Sequence, residues 1–304
     1  MKRAAPWLLP ALAAGAIAPF VRGDGGDTRL FVAAGRTLLS SHWSHAFADS
    51  SIQVGPLQLA VYGSLGRETA ALAAVLAIAT VLLLQAAARA AGVRSPGAIA
   101  LVGAAAIVTG LSTNVFEAGH PADTLLPLLW IVAAVDARRG HGTRAGVLVG
   151  LTAGVETWGI LGVAVLASRR GGAAAAAVAA ALYLPFLVAG HFAMGSYDWP
   201  VAGHSLPHLL LGSGASFGWP LRLVQGAAAV GAGLLARRTG SAWLVPLAIV
   251  GTRLLLDPVL NDYYYAALVG PALVGLAVFS RSRIAAFTAG QSSSITAYQA
   301  ESRR

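Results

Sequence analysis

The chain has 304 residues, of which 57% are hydrophobic and 11% are charged, and its mean hydropathy is +0.70. A soluble protein carries roughly a quarter charged residues, so this composition excludes an ordinary soluble domain and indicates a polytopic membrane protein. The formal net charge of +9 does not indicate nucleic-acid binding, because the basic residues lie at the ends of apolar runs and do not gather on one surface. Cysteine is absent, which excludes disulfides and thiol chemistry.

The basic residues give the chain an orientation. Lys2 and Arg3 precede the first apolar run, and arginines follow most of the runs that return to the same side, which is the positive-inside pattern. We therefore expect both termini in the cytoplasm, and an uncleaved first span because no small-residue cleavage site follows it. The composition, rich in Arg, Ala and Gly, is typical of a high-GC bacterium, so we expect the plasma (inner) membrane.

The apolar runs predict an all-α protein with about eight crossings and one broken hairpin. The crossings are expected at residues 6–21, 69–91, 96–111, 125–135, 173–189, 219–235, 242–256 and 263–279. Residues 145–167 have arginines at both ends and Gly154, Glu156 and Gly159 in the middle, so we expect two half-helices with both ends inside. We expect one integral membrane domain over residues 1–283 and a disordered cytoplasmic tail over residues 284–304.

The first external loop predicts helices that lie in the membrane interface. Within residues 27–43, apolar residues such as Phe31 and Leu38 recur at helical spacing while Arg36 falls on another face, which is typical of a helix with its apolar face in lipid. Residues 52–65 are apolar but too short to cross, and indicate a second interfacial or re-entrant element.

Asp24 and Asp27 are the first candidate catalytic residues, because the topology places them outside, just beyond the first span. A carboxylate at the membrane surface is suited to act as a general base, and partial burial would raise its pKa toward the working range. The alternative is structural, since Asp27 lies where it would cap the following helix and interact with its dipole.

Arg222 and Arg253 are candidates for binding a phosphate, because each lies at the predicted outer end of an apolar run. An arginine in a membrane span is costly unless it is paired or used, and a guanidinium offers a planar set of donors that fits a phosphate. The alternative is a structural ion pair between Arg253 and Asp257, which have i,i+4 spacing.

Further polar residues are expected to line an external cavity and contact substrate: Glu117, His120, His191, Asp198 and Tyr263. The pairs His42/His45 and His204/His208 have spacings that suit a metal site, but no carboxylate lies at ligand spacing beside either, so we expect no metal. Glu156, in the middle of the hairpin, is either a proton-relay residue or a neutral carboxyl group that is hydrogen-bonded within the bundle.

This layout resembles the GT-C class of membrane glycosyltransferases, in which an acidic residue and an interfacial helix follow the first span. The segment Asp27-Thr-Arg-Leu-Phe31, continued by Val-Ala-Ala-Gly-Arg-Thr-Leu-Leu39, resembles the Asp, aromatic, small-residue helix of glycosyltransferase family 87, the polyprenyl-phosphate-mannose-dependent mannosyltransferases. Val54-Gly-Pro-Leu57 lies where those proteins often carry a Tyr-Pro-Pro motif, and the Gly-rich residues 145–150 open the hairpin as theirs do.

The resemblance implies an inverting transfer of a sugar, mannose or another pentose or hexose, from a polyprenyl-phosphate donor to a lipid or glycan acceptor on the outer face, without a cofactor. Asp27, or else Asp24, would deprotonate the acceptor hydroxyl, while Arg253 and Arg222 would hold the phosphate leaving group. Two alternatives stay open. One is a transporter or flippase of a lipid-linked or anionic solute that uses Glu156, and the other is a non-catalytic membrane scaffold.

Overall fold

The computed structural model describes residues 7–21, 26–66, 69–113, 119–212, 214–259 and 261–280. Within these ranges the chain is mainly helical and has only two short strands, which confirms the all-α prediction. Two of the candidate site residues, Asp24 and Glu117, lie outside the described residues, and so does the tail predicted over residues 284–304.

The helices follow the apolar runs closely. The main helices of the first half are α1 (Leu8–Val21), α2 (Thr28–Leu38), α3 (Pro56–Leu65), α4 (Thr69–Ala90), α5 (Pro96–Val108) and α6 (Ala122–Arg138). Those of the second half are α7 (Gly142–Val155), a 3₁₀ helix (Thr157–Val165), α8 (Arg169–Ala189), α9 (Leu206–Leu211), α10 (Trp219–Arg237), α11 (Leu244–Leu255) and α12 (Asp262–Ser280), whose first turn is 3₁₀. Short antiparallel strands β1 (Trp199–Pro200) and β2 (Ser216–Phe217) pair in the loop between α8 and α10.

Three helices in the described part of the chain, α4, α8 and α12, are both long and apolar enough to cross a bilayer. They identify the protein as a membrane protein with transmembrane helices. Helices α1, α5 and α11 are also apolar but have 14, 13 and 12 residues. At about 1.5 Å per residue, each is shorter than the roughly 30 Å hydrocarbon core.

The predicted break in the hairpin is confirmed, with one correction to its second half. Helix α7 ends at Val155, and Glu156 is extended with φ −151° and ψ 147°. The segment that follows is a 3₁₀ helix and not the expected α-helix. Its backbone lies so close to the end of α7 that a Cβ atom on Gly159 would be 2.1 Å from the Thr152 carbonyl oxygen. The extended Glu156 forms an isolated antiparallel bridge with Val54, which ties the break to the segment before α3.

The apolar face of α2 contacts protein, whereas the sequence analysis expected it in lipid. Its buried residues include Phe31 and Gly35, and the helix crosses α3 where Gly35 meets Gly63. A Cβ atom on Gly35 would lie 2.1 Å from the Leu59 carbonyl oxygen. The lack of side chains at this crossing lets the two backbones touch, so α3 covers the face that periodicity alone assigns to lipid.

Gly35→Ala is therefore expected to lower the free energy of unfolding by about 2 kcal/mol, because the added methyl group must push α2 away from α3. The measurement is thermal unfolding in detergent. Gly231→Ala in α10 is the matched control, since nothing lies within 4 Å of the added Cβ atom, and it should leave the melting temperature unchanged or slightly higher. Equal melting temperatures for the two variants would contradict the close crossing.

Candidate functional site

A cavity of about 370 Å³ lies where the 3₁₀ helix, α10 and α11 meet. Its lining combines aliphatic, aromatic and charged side chains, and it includes His120, Glu156, Trp158, Arg222, Arg253 and Tyr264. The charged members lie at helix ends: before α6, at the hairpin break, in the first turn of α10 and in the last turn of α11. Charged residues at the ends of helices that are far apart in the chain thus lie around one cavity.

His120 is placed by a turn that α3 holds. Gly119 has φ +78°, a left-handed conformation that glycine adopts without steric cost. Its carbonyl oxygen accepts hydrogen bonds from Gln58 Nε2 and the Tyr62 hydroxyl, each at 3.1 Å. Both donors are buried, so the segment that carries His120 is fixed from α3.

The His120 imidazole is held on four sides. Its Nε2 lies 3.1 Å from Asp27 Oδ2, and its Nδ1 lies 3.9 Å from Glu156 Oε1. The ring of Tyr263 stacks on it at 5.3 Å with an interplanar angle of 6°, and Phe31 packs edge-on at 5.2 Å. Asp27 and Phe31 belong to the start of α2, so the amphipathic helix of the first loop helps to build the site.

The contact between Asp27 and His120 shifts the pKa of each group. The hydrogen bond from His120 lowers the pKa of Asp27 and outweighs the opposing effect of burial. The sequence analysis expected the reverse, a carboxylate with a raised pKa. Burial lowers the pKa of His120, but the hydrogen bond to Asp27 and the negative fields of Glu156 and Asp123 outweigh burial and raise it overall. Asp27 occupies the N-cap position of α2, yet its side chain makes no capping hydrogen bond.

Arg222 and Arg253 form the cationic wall of the cavity, and the buried carboxylates of Asp257 and Asp123 pair with them from behind. Asp257 is fully buried, and its Oδ2 accepts a hydrogen bond from Arg222 Nη1 at 2.9 Å. The same atom lies 3.8 Å from Arg253 Nη2, so the i,i+4 pair inferred from spacing is present but is the longer of the two contacts. Arg253 Nη1 lies 3.6 Å from Asp123 Oδ1, which brings α6 into the network.

Aromatic rings cover both guanidinium groups. Arg222 lies 4.1 Å from the centre of the Trp199 ring, and Arg253 lies 4.3 Å from that of Trp158. Among the described residues, Arg222 Nε, Arg253 Nη1 and Trp158 Nε1 are buried donors without a hydrogen-bond acceptor. Such donors in a cavity wall favour a ligand that brings its own acceptor atoms.

An apolar groove of about 400 Å³ adjoins the cavity. Its lining includes Tyr183 and Leu187 of α8, and it shares Thr157, Ile160 and Trp219 with the cavity. The shared residues make the groove and the cavity continuous along one wall. A ligand with a polar head and a hydrocarbon chain fits this pairing of spaces.

The structure brings together most, but not all, of the residues singled out in the sequence. His120, Arg222 and Arg253 line the cavity, and Tyr263 and Asp27 contact His120. His191 and Asp198 are exposed and line neither space. The His191 ring stacks instead on His45, with the ring centres 3.9 Å apart.

Several lining residues went unnoticed in the sequence: Gln53, Trp158, Trp199, Trp219, Gln225 and Tyr264. Trp199 directly follows Asp198, so the expected loop does reach the cavity, but through its aromatic residue. In the part of the chain that the structure describes, no three or more His, Cys, Asp or Glu side chains lie close enough together to hold a metal ion.

No family model, no curated protein and no solved structure matches this chain. The resemblance to GT-C glycosyltransferases therefore stays a prediction from the sequence. The class that the fold and composition define is a helical membrane protein with a charged cavity beside an apolar groove.

Asp257→Asn is expected to be strongly destabilising, because the amide removes the carboxylate that Arg222 contacts at 2.9 Å and leaves Arg253 with its 3.6 Å contact to Asp123. Removing one partner of a buried ion pair costs about 3–5 kcal/mol. The measurement is thermal unfolding in detergent. Asp262→Asn, at an exposed carboxylate, is the control and should change stability by less than about 0.5 kcal/mol. A stable Asp257→Asn protein would show that the network does not hold α10 and α11 together.

Proposed function

We propose that the protein is a GT-C type membrane glycosyltransferase that moves a sugar from a polyprenyl-phosphate donor to a lipid or glycan acceptor. Mannose is the first sugar to test, since the sequence resembles mannosyltransferases. The observation that carries the proposal is a cavity lined by two arginines and by an imidazole that is hydrogen-bonded to a carboxylate, with an apolar groove adjoining it. These are the groups needed for a phosphate, a proton and a lipid chain.

The arginines suit the leaving group of such a reaction. When the acceptor oxygen bonds to the anomeric carbon, the bond between that carbon and the phosphate oxygen breaks, and its electron pair leaves with the phosphate. The donor phosphodiester carries one negative charge and the released phosphomonoester carries up to two, so negative charge grows in the transition state. Arg222 and Arg253 have donors without acceptors beside the cavity, and fixed donors of this kind stabilise developing charge.

The proton of the acceptor hydroxyl must also be taken up. Asp27 and His120 supply a hydrogen-bonded carboxylate and imidazole for this role, with Asp24 as a further candidate from the sequence. The apolar groove beside Tyr183 and Leu187 then holds the first part of the polyprenyl chain. Membrane lipids are the surroundings from which both donor and lipid acceptor would enter.

In this proposal the site faces the outer side of the membrane. The basic loops stay inside, most acidic residues stay outside, and about eight crossings plus the broken hairpin connect them. Helices α4, α8 and α12 are full-length spans, while the shorter apolar helices α1, α5 and α11 cross where the protein thins the bilayer.

The test is release of polyprenyl phosphate, the product common to all acceptors. The protein is reconstituted in liposomes with polyprenyl-phosphate mannose, glucose or arabinose and a bacterial lipid extract as the acceptor source. We expect turnover of one donor. Asp27→Asn should lower the rate about tenfold or more, because its carboxylate belongs to the pair that takes up the proton. Arg253→Lys should lower it about tenfold or more, because the bidentate donor set is lost.

Asp49→Asn is the control, since this exposed carboxylate accepts hydrogen bonds from nearby Ser51, away from the cavity lining. It should leave the rate unchanged. No release from any donor would contradict the proposal. A carrier would instead move labelled lipid between leaflets without releasing polyprenyl phosphate. Glu156→Gln would abolish that movement, and Asp27→Asn would not.

A further inference from the structure

Asp27 does not line the cavity, although the proposed reaction needs a proton acceptor there. The Asp27 side chain is 59% exposed, and Asp27 is not among the residues that line the cavity. His120 does line it, and its side chain is 12% exposed. The imidazole thus lies between the carboxylate and the space where substrate would bind.

We propose that His120 is the proton-accepting residue of the transferase and that Asp27 acts only through it, as a positioning residue. This inference rests on the proposed function and assigns the roles within its site. The roles predicted from the sequence alone were the reverse, with Asp27 as the base and His120 as a cavity-lining residue.

The hydrogen bond fixes which nitrogen is free. Because Asp27 accepts from Nε2 at 3.1 Å, the neutral imidazole carries its hydrogen on Nε2 and a lone pair on Nδ1. A carboxylate that holds an imidazole in one tautomer, with the other nitrogen free to take a proton, is an established arrangement in acyl-transfer enzymes. Stacking on Tyr263 and the edge contact of Phe31 keep the ring plane fixed.

The free nitrogen belongs to a residue that lines the cavity, and it makes no direct hydrogen bond to Glu156. Nδ1 lies 3.9 Å from Glu156 Oε1, which is too far for a direct hydrogen bond. Both residues line the cavity, so an acceptor hydroxyl that enters it can donate its one hydrogen to Nδ1. Glu156 belongs to the cavity lining, and its extended backbone at the hairpin break aims the residue from α7 toward His120.

The step balances in atoms and charge. The acceptor O–H gives its proton to Nδ1, its oxygen forms the new bond to the anomeric carbon, and the electron pair of the broken carbon–oxygen bond leaves on the phosphate. The resulting imidazolium lies between the carboxylates of Asp27 and Glu156, both of which stabilise it. The proton returns to solvent before the next cycle, which the exposed Asp27 side favours.

The pH dependence follows from the groups around the ring. Asp27 faces it from the start of α2, Glu156 from the hairpin break, Asp123 from its own helix α6 and Tyr263 from α12. The three carboxyl groups raise the pKa of His120 against the effect of burial. A base must be unprotonated, so turnover should rise with pH through the pKa of His120 and then level off, above the ordinary imidazole value of about 6.5.

The experiment compares pH–rate profiles of the full chain in liposomes, using the donor that the wild type turns over. His120→Gln keeps an amide donor near Asp27 but has no nitrogen that accepts a proton, and should lose about 10²–10⁴-fold in rate at every pH. Asp27→Asn should keep more activity than His120→Gln. The rising limb of its pH–rate profile should lie at lower pH than in the wild type, because the imidazole has lost a neighbouring negative charge. His141→Gln is the control, because this imidazole lies beyond the opposite end of α6, beside Asp136, and should have no effect.

A second readout does not depend on turnover. In NMR spectra of protein labelled with ¹⁵N-histidine, the signal that is missing from His120→Gln belongs to His120. The pH midpoint at which this His120 signal titrates should be lower in Asp27→Asn than in the wild type. Two results would overturn this inference and leave the proposed function standing. One is a His120→Gln protein that turns over at the wild-type rate, and the other is an Asp27→Asn pH–rate profile whose rising limb lies at the same pH as in the wild type. Absence of wild-type turnover with every donor overturns the proposed function and, with it, the role of His120.

Discussion

The buried carboxylate of Asp257 is the constraint on which the rest of the site depends. A membrane protein that buries two guanidinium groups must supply opposing charge within reach, because isolated charges are very costly away from water. Asp257 does this for Arg222 of α10 and Arg253 of α11, while Asp123 joins the network from α6. Three helices are thereby held in fixed relation around the cavity.

The hairpin break is the second feature that positions the residues of the site. A continuous helix through residues 142–165 would carry its side chains past the cavity, whereas the extended Glu156 turns the chain and places Trp158 over Arg253. The bridge to Val54 ties this break to α3, which in turn fixes Gly119 and therefore His120. The cationic wall and the imidazole–carboxylate pair are thus parts of one connected framework.

The sequence predicted the local features well. Hydrophobic periodicity located the helices, Glu156 with its flanking glycines located the break, and i,i+4 spacing located one contact of the Arg253 network. The contact between His120 and Asp27 joins residues 93 positions apart, and no local pattern indicates such a pairing. The closeness of Trp199 to Arg222, and the crossing of α2 and α3, likewise depend on packing between distant elements. The sequence placed the base at Asp27, and our proposal moves that role to His120, because the exposure of Asp27 appears only once the helices are assembled.

The most direct test is a cryo-electron-microscopy structure in lipid nanodiscs, with an antibody fragment for size and a non-hydrolysable polyprenyl-phosphonate sugar bound. We expect the phosphonate oxygens within about 3 Å of Arg222 and Arg253, the sugar against His120, and the hydrocarbon chain in the groove beside Leu187. A phosphonate bound at another surface, with the arginines still paired only to Asp257 and Asp123, would contradict a transferase site in this cavity.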